Sequence, residues 1–113
     1  MAAVPQTLRT PRLTLRPLRP EDREAIAAGV GNYDVARWLA VVPYPYGLAD
    51  ADAFIADARA GAKRVWAICD GEGVQGVVSL EAQLGYWLAR PVWGRGYASE
   101  VCGIVVWHAF TAL

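Results

Sequence analysis

The sequence predicts a single mixed α/β or α+β domain, and three observations predict it. "LTLRPLR" alternates apolar and polar residues, as a half-buried strand does. Two apolar runs flank the turn-forming cluster "DGEG", as in a hairpin. A further strand-like run, "LGYWLA", passes through a proline and two glycines into a long apolar stretch from Tyr97 to Leu113. With helical segments between the first two features, the order is one strand, two or three helices, three strands and one helix. The 113 residues suit one small domain.

Each element follows from its own residues. The first strand is expected over Leu13–Arg19. In "PEDREAIAAGV", Pro20 suits a helix start, Glu21, Asp22 and Glu24 complement the positive end of its dipole, and Ile26, Ala27 and Val30 form its apolar side. "NYDVARWLA" reads as a second helix capped by Asn32. "VVPYPYG" is a loop, because its prolines break regular pairing. "LADADAFIADARAG" is a third helix closed by Gly61. "RVWAICDGEGVQGVVSL" is the hairpin, and "LGYWLA" is the next strand, ended by Pro91 and the glycines. Trp38, Trp66, Trp87, Trp93 and Trp107 are core candidates.

The last helix is apolar almost all round. Ala98, Val101, Cys102, Val105, Ala109 and Ala112 form one stripe, and Ile104, Val106, Trp107 and Phe110 cover much of the rest. Such a helix is expected to be covered on several sides, and the sheet can cover only one. The expectation is that the chain is the N-terminal part of a longer fold, or that a partner chain completes it.

Eleven basic and eleven acidic residues cancel, which argues against nucleic acid or an anionic membrane as a partner. The arginines of the opening, Arg9, Arg12, Arg16 and Arg19, read as the wet face of a strand. No apolar run reaches the length of a membrane span, and the first residues lack the pattern of a secretion signal. Cys69 and Cys102 stand apart, as small core residues in a reducing compartment, with the cytoplasm the default. His108 is the only histidine and lies roughly 240° around the helix from Cys102, so the two form no pair. One histidine and two separate cysteines also argue against a zinc site.

"PVWGRGYASE" carries the most chemistry. A strand leads into glycines and then into a helix N-terminus, where the first N–H groups lack acceptors and the dipole favours an anion. Gly94 and Gly96 permit a tight turn and close approach of a ligand; a plain turn between strand and helix would use them too. GxxxxGK[ST] is absent. "GRGYAS" begins like GxGxxG, but Ser99 stands at the third glycine, and a dinucleotide fold needs an acidic residue about 20 positions on, beyond the last residue of the chain.

"LGYWLARPVWGRGYASE" resembles the coenzyme A-binding signature of the GNAT superfamily of N-acetyltransferases, and is most similar to the branch of the ribosomal-protein-alanine N-acetyltransferases. In the pattern Q/R-x-x-G-x-G/A, Trp93 takes the first position, Gly96 the fourth and Ala98 the sixth, so Trp93 departs from the pattern. "LRTPRLTLRPLRPEDREAI" resembles the opening strand and helix of that branch, and "VWAICDGEGVQGVVSL" its second and third strands. The resemblance implies a GNAT-like, mainly antiparallel sheet flanked by helices, truncated after the helix that follows the fourth strand.

It also implies acetyl-coenzyme A as cosubstrate and an amine as acceptor. The pyrophosphate would lie on the N–H groups of Gly94, Arg95, Gly96, Tyr97 and Ala98, and the pantetheine arm would pair with Trp87, Leu88 and Ala89 like an added strand. The Arg95 side chain either reaches a phosphate or points into water. A strand N–H would stabilise the oxyanion, and a carboxylate or bound water would take the amine proton. Glu81 is a weak candidate for that base and reads first as a solvated hairpin residue. Glu100 suits the helix dipole, and Ser99 is a local hydrogen-bonding residue rather than a nucleophile. No catalytic acid carries over. The "PYPYG" loop either lines an acceptor pocket or packs as a surface loop. A non-catalytic reading stands beside the enzymatic one: a remnant that binds coenzyme A weakly, or pairs into a homodimer or swapped dimer through an exposed sheet edge and the apolar last helix.

Overall fold

A computed structural model describes residues 7–37, 46–60, 64–80 and 84–112. Five strands form one antiparallel sheet in sequential order: β1 (Leu8–Arg9), β2 (Thr14–Pro17), β3 (Arg64–Asp70), β4 (Gly73–Leu80) and β5 (Leu84–Leu88). The helices are α1 (Arg23–Gly31), α2 (Tyr33–Ala36), α3 (Leu48–Arg59) and α4 (Tyr97–Ala112). This is the α+β architecture that the element order predicts, with a mainly antiparallel sheet flanked by helices.

Side chains alternate across the strands, and each sheet face builds its own core. Leu15, Trp66, Ile68, Val78 and Leu88 point one way and pack against Tyr97, Val101 and Val105 of α4. Val65, Ala67 and Val77 point the other way, against Ile26 and Val30 of α1 and Ala51 and Ile55 of α3. Leu15, Ile26 and Ile68 are fully buried, each contributing roughly 1.5–3 kcal/mol. His108 is also buried, with its ring edge-on to Trp66 at 5.8 Å between centroids.

The local signals act as their chemistry dictates. Asn32 Oδ1 accepts the Asp34 N–H at 2.8 Å and caps α2. Asp50 Oδ2 accepts the Gly47 N–H at 2.9 Å at the start of α3. "DGEG" turns β3 into β4, with Gly73 at φ +128°. Gly61, Trp38 and most of the "PYPYG" loop lie outside the described residues; Tyr46 packs against the α1–α3 core, and burial raises its phenol pKa. No described helix is long and apolar enough to cross a membrane.

Several expectations are corrected. A short strand, β1, precedes the expected first strand, and Pro20–Asp22 is a separate 3-10 turn before α1. Asp22 is buried and does more than complement a dipole: it accepts from the two terminal guanidinium nitrogens of Arg16 at 2.8 and 2.9 Å and from the Arg19 N–H at 2.8 Å. Burial alone would raise its pKa, but these donors outweigh burial and lower it. Arg16 and Arg12 are therefore ion-paired, not merely solvated. Trp93 and Trp107 are exposed instead of buried, and Phe110 is 85% exposed. Cys69 and Cys102 are joined in no disulfide and are half-buried, and burial raises both thiol pKa values.

Candidate functional site

β5 lies at the edge of the sheet, and its polar groups follow from its register. Ala89 donates its N–H to the Gln75 carbonyl at 2.7 Å. Hydrogen-bonded and non-bonded pairs alternate in an antiparallel ladder. Trp87, opposite Val77, therefore turns its polar groups toward β4, whereas Tyr86 and Leu88 turn theirs to the open edge. The Trp93 indole takes up the Leu88 carbonyl at 2.8 Å. Among the described residues, the outward groups that remain are the Leu88 N–H and the Tyr86 N–H and C=O. Sequence reasoning named Trp87, Leu88 and Ala89 as the pairing residues; the register keeps Leu88, turns Trp87 and Ala89 inward and adds Tyr86. The odd-even spacing from Gly85 to Ala89 carries this information once one hydrogen bond is known.

A one-residue irregularity interrupts the pairing near the start of β4. Ile68 faces Gly76 and Cys69 faces Val74, so Gln75 is an extra residue. Its carbonyl holds Ala89, while its side-chain amide donates to Asp70 at 3.2 Å. Asp70 also accepts the Glu72 N–H at 2.8 Å and the Tyr97 hydroxyl at 2.9 Å. Burial works against its charge, but the combined donors lower its pKa. The hairpin turn is thereby tied to the first residue of α4.

After β5 the chain makes a 3-10 turn, Arg90–Val92, then passes Trp93, Gly94, Arg95 and Gly96 into α4. Gly94 and Gly96 sit at φ +82° and +79°, in the region side chains disfavour. A Cβ at Gly94 would meet nothing within 4 Å, whereas one at Gly96 would lie 3.3 Å from Arg12 Nη2. The Gly96 carbonyl accepts the Glu100 N–H at 3.3 Å, which makes Gly96 the cap. Glycine supplies no capping side chain, so the N–H groups of Tyr97, Ala98 and Ser99 have no acceptor within the helix.

These elements border a cleft of about 380 Å³. It is lined by Tyr86, Trp87 and Leu88 of β5, by Val92, Trp93, Gly94 and Gly96 of the loop, by Tyr97, Ala98 and Ser99 of α4, and by Val35. Of the sequence-predicted residues, Trp87, Leu88, Gly94, Gly96, Tyr97 and Ala98 meet here. Arg95 is exposed beside the cleft, Ala89 is engaged with β4, and Glu81 lies outside the described residues. Arg90 stacks on Trp93 at 4.6 Å and faces Asp34 at 3.6 Å. The described lining contains no carboxylate and no histidine. No group of three or more potential metal ligands occurs among the described residues.

The far side of the loop is held by the β1–β2 connection, which sequence reasoning missed. Arg12 donates to Glu100 through Nε and to the Arg95 carbonyl through Nη1 at 2.7 Å, with its guanidinium 4.9 Å from the Tyr97 ring centroid. Glu100 also accepts the Thr10 hydroxyl. The Thr10 bond and then the Arg12 bond and charge lower the Glu100 pKa. Glu100 is thus an anchor between chain segments.

The acetyltransferase (GNAT) domain family matches residues 12–113. Among solved structures, a protein from T. thermophilus assigned to the acetyltransferases shares 25% identity with a TM-score of 0.81, over 99% of this chain and 64% of that one. A ribosomal-protein-S5-alanine acetyltransferase from Vibrio fischeri shares the fold at 14% identity and TM-score 0.74, over 95% of this chain and 68% of that one. The microcin C7 self immunity acetyltransferase MccE, solved in complex with acetyl-CoA and AMP, aligns at 18% identity and TM-score 0.68, over 88% and 63%. This chain spans 64% of the length of the T. thermophilus protein. No curated protein matches it. With the fold, the cleft and the family match in agreement, the chain belongs to the GNAT acetyltransferase domain family.

Proposed function

We propose that the chain binds acetyl-coenzyme A in the cleft between β5 and α4 and serves the transfer of its acetyl group to a primary amine, of a protein N-terminus or a small molecule. The observation that carries this reading is the pairing of two kinds of donor along one cleft. The free N–H groups that open α4 suit a pyrophosphate, and the outward groups of Leu88 and Tyr86 suit an amide-bearing arm added as a strand. The open space at Gly94 and the 380 Å³ of the cleft, within the roughly 300–1,000 Å³ of small-molecule sites, fit the coenzyme. When bound, acetyl-coenzyme A supplies the thioester that the amine attacks. The residues of the chain bind and orient it: Gly94, Gly96, Tyr97 and Ala98 at the phosphates, Leu88 and Tyr86 along the arm.

The amine approaches from the other sheet face. There, a groove of about 240 Å³ bordered by Val30, Phe54, Val77, Ser79 and Gly85 shares Tyr86 and Trp87 with the cleft. The described residues of this groove carry no charge, which favours an amine on an apolar scaffold over a polycation. Since no carboxylate or histidine is among the described lining of the cleft, the amine proton leaves through water or through a residue outside that lining, Glu81 included.

Calorimetric titration of the 113-residue protein with acetyl-coenzyme A tests the binding half. Saturable binding is expected, and no heat at millimolar ligand ends the reading. Thiol release with amine acceptors tests the catalytic half, and slow turnover is expected.

A second reading has its own support. Val106, Trp107 and Phe110 form an exposed apolar stripe on α4, and β5 has no neighbour among the described strands on its outer side. In that reading the chain binds the coenzyme without turnover and self-associates through these surfaces. Concentration-dependent mass in sedimentation, abolished by Phe110→Glu, would favour it.

A further inference from the structure

We propose that Arg12 is a positioning residue for the coenzyme loop, which fixes the peptide unit between Arg95 and Gly96 so that its N–H faces the cleft. The inference rests on the reading of the cleft as a coenzyme site. It deepens that reading by giving a task to a residue 83 positions away in sequence.

The argument begins with the peptide unit. In a trans peptide the C=O and the following N–H point in opposite directions. The Arg95 carbonyl points at Arg12 Nη1, 2.7 Å away. Gly96, the next residue, lines the cleft, whereas Arg95 does not. The Gly96 N–H is therefore directed to the cleft side, in line with the free N–H groups of Tyr97 and Ala98.

This orientation needs a hold. Gly94 and Gly96 both have positive φ, and glycine adopts other backbone angles at little cost, so the intervening peptide can rotate. A rotated peptide would present a carbonyl oxygen where a phosphate needs a donor. Arg12 opposes that rotation. Its planar fork engages the Arg95 carbonyl and Glu100 together, its face covers the Tyr97 ring, and Nη2 sits 3.3 Å from the Cβ position of Gly96. Glu100 keeps the guanidinium in place, and the Thr10 hydroxyl orients Glu100. A lysine reaches one of these partners but lacks the fork that reaches both.

The test uses amide-resolved NMR titrations of the 113-residue protein: wild type, Arg12→Gln and Arg12→Lys. Two ligands separate the parts of the site: coenzyme A, and acetyl-pantetheine, which lacks the pyrophosphate. Arg12→Gln is expected to weaken coenzyme A binding about tenfold to a hundredfold, the worth of a charge-assisted hydrogen bond. The Gly96 amide resonance is expected to move on coenzyme A addition in the wild type and to stay in place in this variant. The responses of Tyr86 and Leu88 to acetyl-pantetheine should match the wild type, and Arg12→Lys should fall between. Unchanged coenzyme A affinity in Arg12→Gln overturns the inference, as does equal weakening toward both ligands, which marks a general structural role. If Arg12→Gln does not fold, wild-type affinity and a wild-type Gly96 response in Arg12→Lys overturn it. A wild-type protein that binds no coenzyme A overturns the coenzyme reading itself, and this inference falls with it.

Discussion

The two flanks of β5 use glycine for opposite reasons. On the packed flank, glycine is required for space. A Cβ at Gly29 of α1 would lie 2.5 Å from the Trp87 ring, and one at Gly76 of β4 would lie 2.2 Å from the Trp87 carbonyl oxygen. On the open flank, glycine is required for conformation. Gly94 and Gly96 have positive φ, and a Cβ at Gly94 meets nothing. One flank locks a tryptophan against a helix and a strand; the other keeps a backbone bare. The same edge strand is thus rigid on one side and accessible on the other, which is what a strand that receives a ligand requires.

Substitutions on the two flanks can break this contrast. Gly76→Ala should have the largest effect, because its clash is with backbone and no rotamer change relieves it. A loss of about 3 kcal/mol or more in chemical denaturation is expected; a loss below about 1 kcal/mol would mean that β5 shifts freely. Gly29→Ala meets only a ring, and the helix gains roughly 1 kcal/mol from alanine. A net loss of about 1–2 kcal/mol is expected, with a changed Trp87 fluorescence. Gly94→Ala should cost about 1 kcal/mol, from backbone strain alone. Its melting curve should otherwise match the wild type, whereas acetyl-coenzyme A binding by calorimetry should weaken.

The smallest effect concerns acid. Asp22 is held below its ordinary pKa, as burial is outweighed by Arg16 and the Arg19 N–H. Its contribution to stability is complete above the unfolded carboxyl value of about 3.9 and is lost as pH falls through the lowered value. Stability should therefore drop below about pH 4, less steeply in Asp22→Asn. A parallel acid profile for the two proteins would remove Asp22 from the explanation.

What the sequence disclosed was local. "DGEG", the Asn32 cap and the passage from β5 through the glycines into α4 depend on neighbours within a few residues, and periodicity and turn chemistry report those. The β1 strand was missed because two residues carry no period. Arg12 and Arg16 looked alike as members of one alternating series. Nothing nearby distinguishes the partner of one, Asp22 six residues on, from that of the other, Glu100 eighty-eight residues on. The tryptophans mislead for a related reason. Size and apolarity assign Trp93 and Trp107 to the core, yet Trp93 is fixed by its indole N–H on Leu88 at the cleft wall, and Trp107 lies on the uncovered side of α4. The cleft's outline was readable; the donors that face into it required the register.

The ties that hold the loop join segments far apart in the sequence. Thr10 and Arg12 reach Glu100 and Arg95 across 83 to 90 positions. Contacts of such separation close slowly, because the chain entropy between them must be lost first. During synthesis the opening hairpin emerges long before the loop it will hold. The geometry of the loop therefore depends on contacts that form only once both segments are in place, and a chain in which β1 and β2 have not docked should present the helix mouth without the Arg12 hold on the Arg95 carbonyl.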